Sequence, residues 1–299
     1  IAYLANFSSF TASSDRQLLN FNLSPQPQLV GRIVGEFQRG IRTHTIEVRL
    51  IQEYNGNPSA PRFRKEVLLD GVKKPLGELY GQFNAVTLLP QMIRIVEGSP
   101  SDRRQYLDEV LSQVEPGYAR HLANYNKALS QRNALLKNLS ERGGDVRQLE
   151  AWDGMLSEHG AQIMHARIQA LQELETLVLP IHQQLTRQSE VLRLAYHPAY
   201  EPLPTPKGQL ALPVQTSLDR SGINAKEIDE GSHKALHAAY RQDISRGMTT
   251  LGPHRDEFRF LSNRIDLGDY GSRGQARTAM LSLKFAEVQW MHAKTGEWP

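Results

Sequence analysis

Six residues near the end of the chain, Tyr270-Gly271-Ser272-Arg273-Gly274-Gln275, lead straight into an amphipathic run. Their types suit contact with a phosphate. Two glycines let a ligand approach the backbone closely. Ser272 is placed to cap the following helix and present its hydroxyl. The helix N-terminus offers free N–H groups and the positive end of a dipole, which favour an anion. Arg273 adds a charge. Taken alone, the same six residues read first as a Gly-rich turn with an N-cap, and Arg273 as a solvated loop residue.

Other residues invite chemistry less specifically. Arg103 and Arg104 fall in the first turns of an expected helix, an unfavourable place for a cation, so each needs a partner. That partner is a carboxylate of the same lobe or a phosphate. Arg132 occupies a seam position where an apolar side chain is expected, which points to a buried ion pair or a partner protein. His254 suits acid–base chemistry, or simply a turn that satisfies it. His233 and His237 lie one helical turn apart, but without a third ligand nearby they read as a solvated face, and no metal site is expected. Trp152 and Trp290 fall on apolar stripes and read as packing. Arg32, Arg39, Arg42, Arg62, Arg64 and Lys65 fit a groove that follows a DNA backbone. They fit ordinary surface charge as well, so DNA contacts are not localised.

The elements that must carry these residues are legible in outline. Residues 30–36 and 45–53 alternate as half-buried antiparallel strands do. A third strand, 65–69, runs into Asp70-Gly71, a strong hairpin signal. A further strand is expected over 84–89, ending at Pro90. Ser99-Pro100-Ser101-Asp102 starts a helix, and 101–195 reads as helical. Within it Tyr118, Leu122, Tyr125, Leu129, Arg132, Leu136 and Leu139 form a heptad seam. Residues 142–145 make a turn. A longer return helix, from about Val146, carries Leu149, Trp152, Leu156, Ile163, Leu174, Val178, Ile181 and Leu185, with a kink expected at Pro180. The two helices form an antiparallel arm, the first roughly 40 Å long at 1.5 Å per residue. Residues 198–222 contain five prolines and read as a strand with loops. Helices are expected over 225–246 and 276–293, with strand-like patterning between. The order suggests an α/β domain interrupted by a helical insertion.

Bulk properties limit the function classes. The 299 residues suffice for about two structural units. A net charge of +3, with 22% charged residues and no dense Lys/Arg blocks, permits a nucleic-acid partner without demanding one. The chain has no cysteine, which excludes disulfides, Cys-ligated zinc and Cys nucleophiles and points to a reducing compartment. No apolar run approaches the ~20 residues of a membrane helix, and no membrane partner is expected. Both ends read as cuts through a longer protein.

Four stretches together carry a resemblance. They are Gly98-Ser99-Pro100-Ser101-Asp102-Arg103-Arg104-Gln105-Tyr106-Leu107-Asp108, then Gln131-Arg132-Asn133, then Gly252-Pro253-His254-Arg255-Asp256, then Tyr270 to Gln275 with Arg277. In types and order they resemble the RecF family of ABC-type ATPases, related to SMC proteins. The resemblance spans nearly the whole chain. It implies an α/β ABC-type ATPase head, a P-loop NTPase fold incomplete here, with an inserted antiparallel coiled-coil arm. The expected division is a β-rich head lobe at 1–98, a helical lobe with the arm at 99–247, and a return to the head at 248–299.

The P-loop and Walker B regions of such a head are absent. No Gly-Lys dipeptide occurs. Val67-Leu68-Leu69-Asp70 mimics Walker B, but Gly71 follows where a catalytic Glu belongs. Leu107-Asp108-Glu109 sits on an expected helix. The chain alone is therefore expected not to hydrolyse ATP, and no catalytic residue is assigned. The resemblance implies that Ser272, Arg273, Gly274 and Gln275 act in trans, covering the γ-phosphate of ATP bound to a second head. It also makes Gln91 a Q-loop candidate that contacts Mg²⁺ and the attacking water, although RecF proteins usually carry Glu or Asp there.

The whole protein is then expected to bind ATP with Mg²⁺ and to form an ATP-dependent homodimer on double-stranded and gapped DNA. It would hydrolyse ATP slowly and assist recombinase loading with RecO and RecR. Its place would be cytoplasmic, at the nucleoid, in replication-fork repair, recombination and the SOS response. The competing reading is a non-catalytic coiled-coil interaction module without nucleotide. An SMC-like or transporter-type head is disfavoured by the short arm and by residues 252–256.

Overall fold

The alternating patterns near the N-terminus form one antiparallel sheet. The computed structural model describes residues 1–9, 12, 14–20, 22, 28–54, 61–203 and 218–299. They fall into two units, Ile1–Thr87 with Ser112–Val114 and Trp298–Pro299, and Leu88–Leu111 with Glu115–Glu297. The first unit contains α1 (Ala2–Asn6) and strands β1 (Gln28–Arg39), β2 (Arg42–Glu53), β3 (Arg62–Leu69) and β4 (Val72–Lys74), paired in that order. Ile46, Val48 and Leu50 from β2 and Val67 from β3 bury one face under Leu4, Phe7, Leu19 and Leu79. On β1 the inward residues include Leu29, Ile33 and Phe37, while Val30 and Val34 face outward. Asp70 and Gly71 both take positive φ (52° and 79°), as the tight hairpin turn requires. The Asp70 carboxylate accepts the Thr45 N–H at 2.8 Å and meets His44 Nδ1 at 2.8 Å, so it is a turn residue. Residues 84–89 join no ladder, although Leu89 keeps extended angles. Their pattern favours extension, but a strand needs a neighbouring edge, and no described residues supply one.

The second unit is mostly helical. It comprises α2 (Arg94–Glu97), most of α3 (Pro100–Val114), α4 (Tyr118–Arg142), α5 (Glu150–Leu185), α6 (Ala225–Ala238), α7 (Tyr240–Arg246), α8 (Leu267–Tyr270) and α9 (Arg273–Thr295). A three-stranded antiparallel sheet joins β5 (Leu192–His197), β6 (Glu257–Ser262) and β7 (Ile265–Asp266) in that order. Ser99 and Asp102 form a capping box at the start of α3, with Pro100 in its first turn. The expectation of helix through residue 195 is wrong. Arg187 and Gln188 take φ of 53° and 67°, which stops the helix, and the following residues enter β5. Of the stretch 198–222, residues 204–217 lie outside the described residues.

The arm pairs α4, 25 residues and about 38 Å long, with the 36-residue α5, which runs through Pro180. Its seam buries Tyr118, Tyr125, Ala128, Arg132, Leu136 and Leu139, with Leu122 and Leu129 at its edge. The helix expected over 225–246 breaks at Ala239 into α6 and α7. Arg132 accounts for the break. It is fully buried, donating from Nε to Asp153 at 2.6 Å and from Nη1 to Asp243 at 2.6 Å and Thr249 Oγ1 at 2.9 Å. Tyr240 donates to the other Asp153 oxygen at 2.5 Å. The turn at Ala239 lets α7 present both Tyr240 and Asp243 to this centre. Asn133 accepts from the Thr249 N–H and hydroxyl, both at 2.8 Å, so Gln131-Arg132-Asn133 latches the segment that leads into residues 252–256.

Those five residues close a second buried network. Arg167, 2% exposed, donates to the Pro253 carbonyl at 2.7 Å, Asp256 Oδ2 at 3.3 Å, Asp108 Oδ1 at 2.8 Å and the Tyr118 hydroxyl at 3.2 Å. Asp256 also accepts from the Tyr196 hydroxyl and, at 2.9 Å, from the Ala199 N–H. Gly252, at φ +124°, lies where a Cβ would collide with the Tyr125 hydroxyl. That hydroxyl meets His254 Nδ1 at 2.6 Å, while Nε2 faces the Thr249 carbonyl at 3.2 Å. His254 therefore carries its proton on Nε2 and accepts at Nδ1. Burial pushes its pKa down to about 4, the Thr249 hydrogen bond opposing and the charges of Arg255 and Arg104 adding to the shift.

Arg132→Met leaves Asp153 and Asp243 buried without their cation and should cost about 3–5 kcal/mol in urea unfolding. Unchanged stability would show that the pair does not hold the arm. Burial holds the His254 pKa at about 4 in the folded chain, below the ordinary imidazole value of about 6.5 that it regains on unfolding. The unfolded chain thus takes up the proton first as pH falls. The stabilisation is complete above 6.5 and is lost towards 4, by up to about 3 kcal/mol. Urea unfolding at pH 7 and pH 4.5 measures this, and His254→Gln should remove that part of the pH dependence.

Candidate nucleotide-contacting loop

The phosphate-suited residues fold as a capped helix start. Ser272 is the N-cap of α9, its Oγ accepting the Gln275 N–H at 3.2 Å while Gln275 Oε1 accepts the Ser272 N–H at 3.0 Å. The helix begins three residues earlier than the apolar pattern implied, because the cap rather than the first apolar residue sets its start. The Gln275 N–H, one of the expected phosphate donors, is therefore engaged by Ser272 Oγ, while the Ser272 O–H proton has no acceptor among the described residues. The N–H groups of Arg273 and Gly274 have no protein acceptor among the described residues. Ser272, Arg273 and Gly274 are exposed, and a Cβ at Gly274 would meet only Ser272 Oγ, at 3.8 Å. The loop thus presents bare backbone at the positive end of a 23-residue helix.

A cleft of about 770 Å³ opens beside this helix start, walled by Leu89, Pro90, Ile93, Met280, Arg273 and Arg277 among others. Arg273 and Arg277 are exposed and form no ion pair among the described residues. The short 3₁₀ turn Pro90–Ile93 packs against α9 and carries Gln91 on its exposed side. The fold therefore brings the Gln91 segment to the signature helix but does not direct the Gln91 side chain into the cleft.

Several other candidates are accounted for by structure. Arg103 pairs with Glu257 and donates to the Gly98 carbonyl at 2.9 Å. Arg104 finds a carbonyl instead of a carboxylate, that of Asp256 at 2.9 Å. Trp290 is buried and donates to Glu173 at 2.6 Å, whereas Trp152 is half-buried. In the first sheet Arg32 and Arg49 share Glu47, Arg64 pairs with Glu53 and Glu66, and Lys65 pairs with Asp15. Arg42 and Arg62 have no ion pair among the described residues. Arg39 donates to the Gly81 carbonyl at 3.4 Å, so three of the six candidate cations have carboxylate partners in this sheet. No group of three or more His, Asp or Glu among the described residues is arranged for a metal. No described helix is long and apolar enough to cross a membrane.

Glu190 and Arg167 are functional neighbours of these elements that the motifs do not include. Arg167 had a signal: it stands four residues after Ile163 on the buried stripe of α5, where a cation must be paired. Glu190 had none. It accepts Gln275 Nε2 at 3.2 Å and Ser262 Oγ at 2.7 Å, and faces His182 Nε2 at 3.3 Å. Burial opposes its charge, but the hydrogen bonds from Ser262, Gln275 and His182 outweigh that and hold its pKa below the ordinary value.

No family model matches the chain. Among curated proteins, the DNA replication and repair protein RecF of Exiguobacterium sp. is 35% identical over 240 residues, which is 80% of this chain and 60% of that protein. RecF of Bacillus mycoides is 31% identical over 300 residues, covering 100% of this chain and 72% of the relative. RecF of Chloroflexus aurantiacus is 33% identical over 308 residues, with 74% of the relative covered. The chain thus spans between three-fifths and three-quarters of the length of these relatives. Two solved structures of the recombination mediator protein RecF in the RecFOR pathway, RecF-ATPrS and RecF-ATP, superpose with a TM-score of 0.75. They are 28% and 27% identical to this chain, and the match covers 99% of it and 72% of each. With the motifs, the α/β ABC-ATPase-like fold and its helical arm agreeing over the full length, the chain belongs to the RecF family of DNA replication and repair proteins.

Proposed function

We propose that this chain is the greater part of an ATP-dependent DNA-repair protein and that it contributes the signature half of a composite nucleotide site. One observation carries the reading: the capped N-terminus of α9, with Gly274 open to solvent and the Arg273 and Gly274 N–H groups unengaged. These groups fit the γ-phosphate of ATP held by a second head, with Arg273 adding charge. Ser272 and Gln275 hold the shape of the loop, and the Ser272 O–H, whose oxygen only accepts from Gln275, is left to donate to phosphate. The solved relatives, named as RecF-ATP and RecF-ATPrS, support nucleotide use and weigh against a nucleotide-free scaffold.

ATP with Mg²⁺ supplies a γ-phosphoryl group that water attacks in line, driven by positioning and charge stabilisation. This chain's part is to bring uncharged donors and one cation to that phosphate from the far side. Gln91 is proposed as the Q-loop residue that senses the same nucleotide. Hydrolysis is slow and serves as a switch for a homodimer on duplex DNA beside single-stranded gaps, working with RecO and RecR in the cytoplasm at the nucleoid.

In the full-length protein, Ser272→Arg should abolish ATP-dependent dimerisation, read by sedimentation velocity, while leaving ATP binding to the monomer intact. Dimerisation equal to wild type would remove the trans assignment. Gln91→Ala should lower ATP turnover and ATP-dependent DNA binding together. Unaltered turnover and DNA binding would exclude the Q-loop role.

A further inference from the structure

The signature loop is held from behind by a carboxylate. Glu190 lies in the connection between α5 and β5, and its side chain is 18% exposed. One oxygen accepts Gln275 Nε2 at 3.2 Å. The other accepts Ser262 Oγ at 2.7 Å and faces His182 Nε2 at 3.3 Å. Gln275 is the residue whose Oε1 accepts the Ser272 N–H at 3.0 Å. Its amide is therefore fixed at both ends, the oxygen on the loop and the nitrogen on Glu190. A rotation that frees one end also breaks the other.

The contacts continue past Glu190. His182 is fully buried in the last turn of α5, and its Nδ1 meets Ser282 Oγ of α9 at 3.0 Å. His182 Nε2–H donates to Glu190, while Nδ1 and the Thr278 carbonyl, at 2.7 Å from Ser282 Oγ, share the one Ser282 hydroxyl proton. Burial lowers the His182 pKa, with Glu190 opposing through its hydrogen bond and its charge. Glu190 thus touches the loop, the β6 end and the last turn of the arm helix at once. Packing alone needs none of this, because an apolar residue would fill the space without its desolvation cost.

We propose that Glu190 is a positioning residue for the nucleotide-contacting loop, setting the Gln275 rotamer that closes the Ser272 cap and joining the loop to the C-terminal turn of α5. The inference rests on the trans role given to the loop above. Glu190→Ala removes the acceptor. Glu190→Gln keeps one oxygen for Gln275 and turns its NH₂ toward Ser262, which can accept, and toward His182, whose Nε2 accepts once its proton has moved to Nδ1 and points at Ser282 Oγ.

The test uses the full-length protein with two readouts. Hydrogen exchange of the Ser272 amide, which donates to Gln275 Oε1, reports the cap without nucleotide, and ATP-dependent dimerisation reports its use. Loss of one buried hydrogen bond corresponds to about a tenfold change. Glu190→Ala should speed exchange and weaken dimerisation by about that factor, with monomer ATP binding unchanged and Glu190→Gln near wild type. Unchanged exchange in Glu190→Ala would overturn the proposal, as would equal loss in Glu190→Gln. Faster exchange with normal dimerisation in both Glu190→Ala and Ser272→Arg would leave the positioning intact and remove the trans role. If Glu190→Ala does not fold, Glu190→Ser shortens the acceptor out of reach of Gln275 Nε2 while keeping a polar group at the site, with the Ser272 amide as the exchange probe and the same outcomes deciding.

Discussion

A guanidinium that is almost wholly buried dictates much of the second unit. Desolvating an isolated Arg costs several kcal/mol, so Arg167 is tolerable only where acceptors surround it. They come from separated parts of the chain: Asp108 on α3, Tyr118 on α4, and Pro253 and Asp256 in the turn before β6. Tyr196 on β5 then satisfies the remaining capacity of Asp256. Helix order, the turn conformation and the start of the second sheet are fixed by one requirement for charge balance. Arg132 does the same further along the arm, with Asp153 and Asp243 as its anions.

This changes what the family motifs mean. Residues 98–108, 131–133 and 252–256 look like chemistry because they are polar and charged. In the structure their side chains mostly face one another. Asp108 and Asp256 meet at Arg167, Asn133 and Arg132 meet at Thr249, and His254 is held neutral between Tyr125 and a carbonyl. They form a scaffold. The loop at 270–275 differs in having exposed residues, backbone donors left over and open space at Gly274. Placing it rigidly is what the buried networks accomplish, since β6 and α9 both descend from the turn that Arg167 clamps.

The sequence displayed the signals that depend on local chemistry. The capping boxes at Ser99 and Ser272, the Asp70-Gly71 turn and the arm seam were readable because each is set by residues within about one helical turn. Arg132 was legible as a misfit on an apolar seam. Errors arose where distant partners decide. Residues 84–89 have a strand pattern but no edge to pair with. The helix expected to reach 195 stops early at two left-handed residues that carry no glycine signal. Helices α6 and α7 divide at Ala239 because Asp243 and Tyr240 must reach a centre built by α4 and α5. Glu190 was invisible because its role exists only through Gln275, Ser262 and His182, each more than five residues away in sequence.

Whether the loop acts on a nucleotide held by another molecule is tested most directly by complementation. Full-length protein carrying Ser272→Arg is mixed with full-length protein disabled in its own P-loop, and ATP turnover on DNA is measured. Each variant alone should be inactive. Action in trans predicts partial recovery on mixing, because one of the two composite sites in a mixed dimer then has both an intact P-loop and an intact loop from the opposite head. Turnover that stays at the level of the separate variants, with mixed dimers present, would contradict it.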